Sequence, residues 1–178
     1  MRLAIIFMLG LAIAACNGPV KRPDGGEGLL PVGASAPDFS ATAKTGDAVK
    51  LSAMLAAKTP IVVYFYPKDE TPGCTKEACS FRDAWTKFTD KHVGLVGVSR
   101  DTEQSHREFR KNHDLPFPLA ADEDGAIAKS YGVKSTLGMS ERVSFLVGPD
   151  GKIAKVWPKV DPAIHADEVL SAAEALPH

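Results

Sequence analysis

The chain is poor in three things that would each have set its class. It has three cysteines among 178 residues, far too few for a disulfide scaffold. It has no excess of charge of either sign, because 21 Lys and Arg stand against 22 Asp and Glu for a net charge of -1. That balance removes the electrostatic case for nucleic acid. It also has no apolar run of the ~20 residues that a membrane-spanning helix needs. Internal repeats are absent. What is left, 44% hydrophobic and 24% charged residues, suits one globular domain with a real core.

The first cysteine stands apart from the other two. The chain opens "MRLAIIFMLGLAIAACNGPV", with Arg2 as a short positive head, an apolar stretch over residues 3–14 and small residues before Cys16. This is the pattern of an export signal. "IAAC" also resembles the bacterial lipobox, which implies cleavage before Cys16 and a lipid on that cysteine. An ordinary signal with an incidental cysteine is the alternative. Gly and Pro dominate "NGPVKRPDGGEGLLPVG" and no hydrophobic period appears, so a flexible tether is expected. The expected organisation is a signal over residues 1–15, a tether over 16–30 and a folded domain over 31–178.

Within that domain, apolar alternation on either side of Thr45-Gly46-Asp47 predicts a small hairpin, and "SAMLAAK" a short helical turn. "PIVVYFYP" is almost wholly β-branched or aromatic, which predicts a strand buried on both faces. A helix follows over residues 72–90, with Ala78, Phe81, Trp85 and Phe88 on one stripe. Residues 93–99 read as a second buried strand, and 102–113 as a charged helix capped by Asp101. A short strand at "FPLAAD", a helix over 125–131, two strands around Pro-Asp-Gly in 142–157 and an amphipathic helix over 161–176 complete the series. The fold class is therefore α/β, a central mixed sheet flanked by helices. Chemistry in such sheets gathers where strands end and helices begin, and Cys74 stands in such a place.

The thiolate is the reactive form of cysteine, and a free thiol has a pKa of about 8.5. The unpaired N–H groups and dipole of a first helical turn favour it. Pro72 has no N–H to waste at that entrance, Gly73 lets a small ligand come close to the backbone, and Thr71 brings a hydroxyl near the sulfur. A buried structural cysteine is the bland reading. Cys79 lies five positions further on, rotated by about 140° and with its Cα ~8.6 Å away if the helix is intact. A disulfide needs Cα atoms within about 7 Å. The pair can bond only if the first turns unwind, as in a cycle in which Cys74 attacks and Cys79 resolves the product.

The stretch Pro67-Lys68-Asp69-Glu70-Thr71-Pro72-Gly73-Cys74 resembles the peroxiredoxin pattern of Pro, three residues, Thr, two residues, Cys. "YPKDETPGCTKEAC", with its second cysteine five positions on, is similar to the bacterioferritin-comigratory, or peroxiredoxin Q, subgroup. The similarity continues through "FRDAW", "VGVSRDT", "FPLAADEDGAIAKSYGV" and "ERVSFLVGPDGKIAKVW", over about residues 31–178. The resemblance implies a thioredoxin-like fold with an extra amino-terminal hairpin. It implies a peroxidase without cofactor or metal, acting on hydrogen peroxide and organic hydroperoxides. Cys74 would become a sulfenic acid and Cys79 would resolve it as an intramolecular disulfide. Thr71 and Arg142 would hold the thiolate and the peroxide oxygens, Pro67 would shield the pocket floor, and Glu77 would orient Arg142. A guanidinium suits that role, since it can donate to both oxygens. Its bland alternative is a surface ion pair with Glu141.

Thioredoxin is the usual reductant of this family, and an export signal requires a thioredoxin-like donor in the cell envelope instead. The expectation is a monomer, lipid-anchored and facing the periplasm. The rival readings are a copper-binding or a disulfide-exchange thioredoxin-fold lipoprotein. Two helix cysteines that diverge make a poor chelate, His165 is the main histidine available downstream, and His92, His106 and His113 lie in polar segments where solvation is expected. Disulfide exchange favours Cys-x-x-Cys.

Overall fold

The computed structural model describes residues 18–41 and 49–176. Cys16 and the predicted signal lie outside them, as does the expected Thr45-Gly46-Asp47 turn.

A five-stranded sheet organises the chain. Its strands are β3 (Ile61–Phe65), β4 (Gly94–Ser99), β5 (Leu119–Ala121), β8 (Val143–Val147) and β9 (Ile153–Trp157), in the order β5-β4-β3-β8-β9. β3, β4 and β5 run parallel, while β8 and β9 are antiparallel to their neighbours. The strands form because their residues are β-branched or aromatic, and they stay central because both faces are covered. Alternation along β3 splits the core into two. Val62 and Tyr64 join Phe81, Phe88, Phe109 and Val169 on one face, whereas Ile61, Val63 and Phe65 join Leu51, Val98, Tyr131 and Phe145 on the other.

The first face is covered by α2 (Pro72–Asp83), α3 (Trp85–Asp90), α4 (Glu103–Asn112) and α6 (His165–Glu174). The second face carries α1 (Leu51–Leu55), α5 (Ala126–Ser130) and the expected hairpin strands β1 (Ser40–Ala41) and β2 (Val49–Lys50), which pair antiparallel. The single helix expected over residues 72–90 is two, broken at Ala84, where ψ is 0°. A small hairpin, β6 (Ser135–Thr136) with β7 (Met139–Ser140), escaped the sequence reading. Each strand is two residues long, too short to carry a period.

Two further expectations are corrected. Asp101 does not cap α4. Thr102 does, accepting from the Ser105 N–H, while the Asp101 carboxylate takes the Ser99 hydroxyl and the Asp69 N–H. The segment expected to be a flexible tether folds back on itself from residue 18 onward. Lys21 and Glu27 form a bridge, the Arg22 guanidinium donates to the carbonyls of Glu27 and Gly28, and buried Leu30 donates its N–H to Tyr131 on the sheet's second face. A single arginine satisfying several carbonyls replaces the hydrophobic period that the segment lacks. It also needs a glycine beneath it, because a Cβ on Gly132 would lie 1.7 Å from the Gly28 carbonyl oxygen.

Candidate active site

The strand β3 ends at Phe65, and the chain crosses Pro67 to enter α2. Thr71 is the extended residue before the helix (φ -81°, ψ 145°) and Pro72 stands in its first turn, as the sequence implied. The Thr75 N–H bonds to the Thr71 carbonyl at 2.8 Å. Cys74 follows in that same turn and is 2% exposed, at the edge of the core formed by Tyr64, Tyr66 and Phe81.

Arg142 arrives from a distant part of the chain. The antiparallel register sets Val143 opposite Phe65, so the residue before Val143 lies over the loop that feeds α2. From there Arg142 Nη2 donates to Cys74 Sγ at 3.2 Å, and Nη1 donates to Glu77 Oε2. Glu77 is one turn after Cys74 and fully buried. The guanidinium therefore bridges a sulfur and a carboxylate on one helical stripe. The bland pairing of Arg142 with Glu141 is not what forms. Nor is Arg142 a surface residue, since its side chain is only 18% exposed.

The electrostatics of this cluster are opposed. Burial pushes the Glu77 carboxyl up to about 7, and the Arg142 charge and hydrogen bond pull against that rise. Burial works to lower the Arg142 pKa, but Glu77 and Cys74 beside it outweigh that and raise it. The guanidinium thus remains the fixed positive charge, as chemistry requires of it. Glu77 Oε1 and the Tyr64 hydroxyl are buried without a partner among the described residues.

The other predicted residues fall in graded positions. Gly73 is exposed, and a Cβ there would lie 3.4 Å from Arg142 Nη2. Pro67 is half-buried beside the loop. The Thr71 hydroxyl donates to the Lys68 carbonyl at 3.0 Å rather than to the sulfur, leaving its lone pairs and not its proton for other partners. Cys79 is on α2 but half-buried, and it lines a groove of about 460 Å³ with Ser80, Ala84, Pro162 and Ala166, between α2, α3 and α6. Cys74 and Cys79 are both free thiols on one unbroken helix.

One histidine contradicts the expectation of solvation, one pairs at the surface, and one sits where no ligand set forms among the described residues. His106 is buried, with Nδ1 2.9 Å from Asp69 Oδ2. His113 pairs through Nε2 with Glu70 at 2.9 Å. His165 is buried and engaged with Ser144 at 2.8 Å and Glu168 at 3.3 Å, which leaves the copper-ligand role without a free imidazole at that position. Asp69 escaped the sequence reading as more than a spacer. The signal for His106 was available, because His106 and Phe109 are three apart on α4 and share its inward face.

Residues 32–156 match the family model described as the AhpC/TSA family. The chain is 39% identical over 148 residues to a putative peroxiredoxin bcp of Coxiella burnetii, covering 79% of this chain and 97% of that one. It is 38% identical over 149 residues to peroxiredoxin Bcp of Bacillus subtilis, covering 79% and 93%. Among solved structures it is similar to peroxidoxin BcpB from Mycobacterium tuberculosis, with a TM-score of 0.77 and 32% identity over 84% of this chain and 99% of that one. It is also similar to the bacterioferritin comigratory protein of Xanthomonas campestris, described for its alkyl peroxide reduction activity, with a TM-score of 0.72 and 35% identity over 84% and 98%.

Proposed function

The chain belongs to the AhpC/TSA family and, within it, to the Bcp and peroxiredoxin Q thiol peroxidases, and from that premise we propose that Cys74 is its peroxidatic cysteine and Cys79 its resolving one. The observation that carries the reading is the Arg142 N–H on the Cys74 sulfur at 3.2 Å. A guanidinium donor stabilises negative charge on sulfur, and the thiolate is the nucleophile. The thiolate attacks one peroxide oxygen. An S–O bond forms, the O–O bond breaks, and the leaving oxygen departs as hydroxide or alkoxide that takes up a proton. Arg142, already aimed at the sulfur, meets the charge that grows on that oxygen. Glu77 fixes the guanidinium from its other side, and Gly73 leaves the approach open.

The sulfenic acid is resolved when the Cys79 thiol attacks its sulfur, forming the disulfide and releasing water. A dithiol of thioredoxin type then reduces the disulfide and is itself oxidised. Both cysteines lie on one helix, which supports a monomer, because no second subunit has to supply a thiol. The substrates of this reading are hydrogen peroxide and organic hydroperoxides. Its place is the bacterial envelope, with Cys16 lipidated and the reductant a periplasmic thioredoxin-fold protein. That placement rests on the export signal and "IAAC". Peroxide consumption by the purified chain with a dithiol tests the reading. Wild type consumes peroxide and Cys74→Ser does not, whereas equal rates would overturn it. Membrane fractionation with the mass of the mature amino terminus tests the anchor. A soluble chain with a free, unlipidated Cys16 contradicts it.

A further inference from the structure

The loop between β3 and α2 is tied to α4 more heavily than catalysis by Cys74 alone explains. Asp69 is 4% exposed and its carboxylate gathers three groups. The Tyr66 hydroxyl donates to Oδ1 at 2.7 Å, the Ser105 hydroxyl donates to Oδ2 at 2.7 Å, and His106 Nδ1 lies 2.9 Å from Oδ2. An ionised carboxylate only accepts, so Nδ1 carries the proton of that bond. Burial opposes the Asp69 charge, yet the His106, Ser105 and Tyr66 donors outweigh it and hold the pKa below its usual value. The Asp69 N–H is taken as well, by Asp101 at 2.9 Å.

The next residue repeats the arrangement at the surface. Glu70 has φ +57°, a left-handed backbone that non-glycine residues avoid. Its carboxylate accepts from Asn112 Nδ2 at 3.0 Å and meets His113 Nε2 at 2.9 Å. The same His113 offers its carbonyl to Arg82 Nη1 at 2.9 Å. Arg82 is on α2, three residues after Cys79. The end of α4 thus holds residue 70 on one side and residue 82 on the other, and both cysteines lie between.

We propose that α4 is the clamp that fixes the two ends of the segment that must unwind, with His106 and His113 as positioning residues acting on Cys74 through Asp69 and Glu70. The inference rests on the Cys74 to Cys79 disulfide proposed above. While the clamp is closed, the loop holds the first turn of α2 against Arg142 and the sulfur is ready for peroxide. Resolution requires residues 72–81 to leave the helix, and the ties at 70 and 82 confine the opening to the span between them. The unwound span pulls on both held ends, so each tie opposes unwinding and weakening either one favours the unwound form. The first chemical step then slows and disulfide formation quickens.

The test uses the purified full chain and separates the two steps. In a Cys79→Ser background, stopped-flow mixing with hydrogen peroxide reads sulfenic acid formation alone. With Cys79 present, rapid quenching by a thiol alkylator reads disulfide formation, and intact mass reads the sulfinic acid formed at peroxide excess. Glu70→Asn suits the left-handed backbone but is too short to reach Asn112 and His113. His106→Leu removes the buried donor, and His106→Asn keeps a donor near the Nδ1 position. Glu70→Asn and His106→Leu are expected to shift the balance between wound and unwound α2 by about fivefold, the factor of one net hydrogen bond, so the first step slows and the second quickens by factors whose product is about five. They also form less sulfinic acid. His106→Asn stays within about twofold of wild type, since it restores the bond. If His106→Leu does not fold, Glu70→Asn decides. Variants that lose melting temperature while both rates remain at wild-type values overturn the clamp. A wild-type chain that forms no Cys74 to Cys79 disulfide overturns the parent reading and the clamp together, and is told apart by the wild type's own failure.

Discussion

The first turn of α2 and its second turn carry the same functional group in opposite settings. Cys74 is buried, held by a guanidinium that is itself gripped by a fully buried carboxylate. Cys79 is half-buried, lines a groove beside α6 and, among the described residues, has no comparable charged donor bonded to its sulfur. The difference teaches that one helix separates two tasks. A nucleophile that attacks a small molecule needs fixed charge and exclusion of bulk water. A thiol that attacks the resulting sulfenic acid needs freedom to travel, and the intact helix keeps it ~8.6 Å away between Cα atoms until that travel occurs.

The largest effect that sharpens this contrast comes from exchanging each sulfur for oxygen. Cys74→Ser abolishes peroxide consumption, while Cys79→Ser keeps one fast turnover and then halts as the sulfenic acid unless an external thiol resolves it. Single-turnover and steady-state peroxide assays check both. A Cys79→Ser chain unable to perform its first turnover breaks the division of labour.

Next in size is Arg142. Arg142→Ala is expected to lower the rate of the first step by about 10²- to 10³-fold, the range found when a preorganised donor at developing charge is removed. Arg142→Lys recovers part of it, because a point charge cannot bridge sulfur and carboxylate together. The melting temperature changes less than the burial of Glu77 suggests. With a pKa already near 7, that carboxyl takes up a proton instead of remaining a bare buried charge. Stopped-flow kinetics beside calorimetry separate the two effects.

Glu77 itself gives a pH signature. Its folded pKa is raised from 4.5 to about 7, chiefly by burial and against the pull of Arg142. The folded chain therefore holds its proton more tightly than the unfolded one. This contribution to stability is complete below pH 4.5 and is lost as pH rises through about 7. Its size is on the order of 1–3 kcal/mol. Glu77→Gln removes that downward slope, which thermal unfolding from pH 4.5 to 8 measures. Equal slopes in the two chains contradict the assignment.

The smallest effect belongs to Gly73. A methyl group there would sit 3.4 Å from Arg142 Nη2, in contact with the guanidinium without displacing it, and would narrow the approach to the sulfur. Gly73→Ala is expected to slow the first step by about two- to fivefold, as small misplacements of reacting groups do, with resolution by Cys79 unaffected. A slower resolution step would place the effect in the helix and not in the approach to the sulfur.

Much of this was legible in the residues. "PIVVYFYP" reads as a buried strand from its β-branched and aromatic residues, and Pro72 with Gly73 marks the helix entrance, so the place of Cys74 followed from chemistry and pattern. Arg142 was harder. Its reach to Cys74 depends on the antiparallel register of β8 on β3, a long-range fact that local pattern does not contain. The family resemblance supplied the residue, and the register explains why it arrives. His106 is buried although its neighbours are polar, because helical spacing puts it on the face of Phe109. The folded segment after residue 18 was illegible for a different reason. Gly and Pro there suggest disorder, while the order comes from Arg22 and from space left by Gly132.

The central claim is that α2 unwinds between two held ends to join its own cysteines. Amide hydrogen exchange read by mass spectrometry, on the reduced chain and on the chain oxidised by one equivalent of peroxide, tests it most directly. The account predicts a Cys74 to Cys79 disulfide in the peptide map and faster exchange confined to residues 71–81, with α4 still protected. A chain that forms that disulfide with α2 exchanging at its reduced rate, or that reduces peroxide with Cys79 still a free thiol and no helix opening, would contradict it.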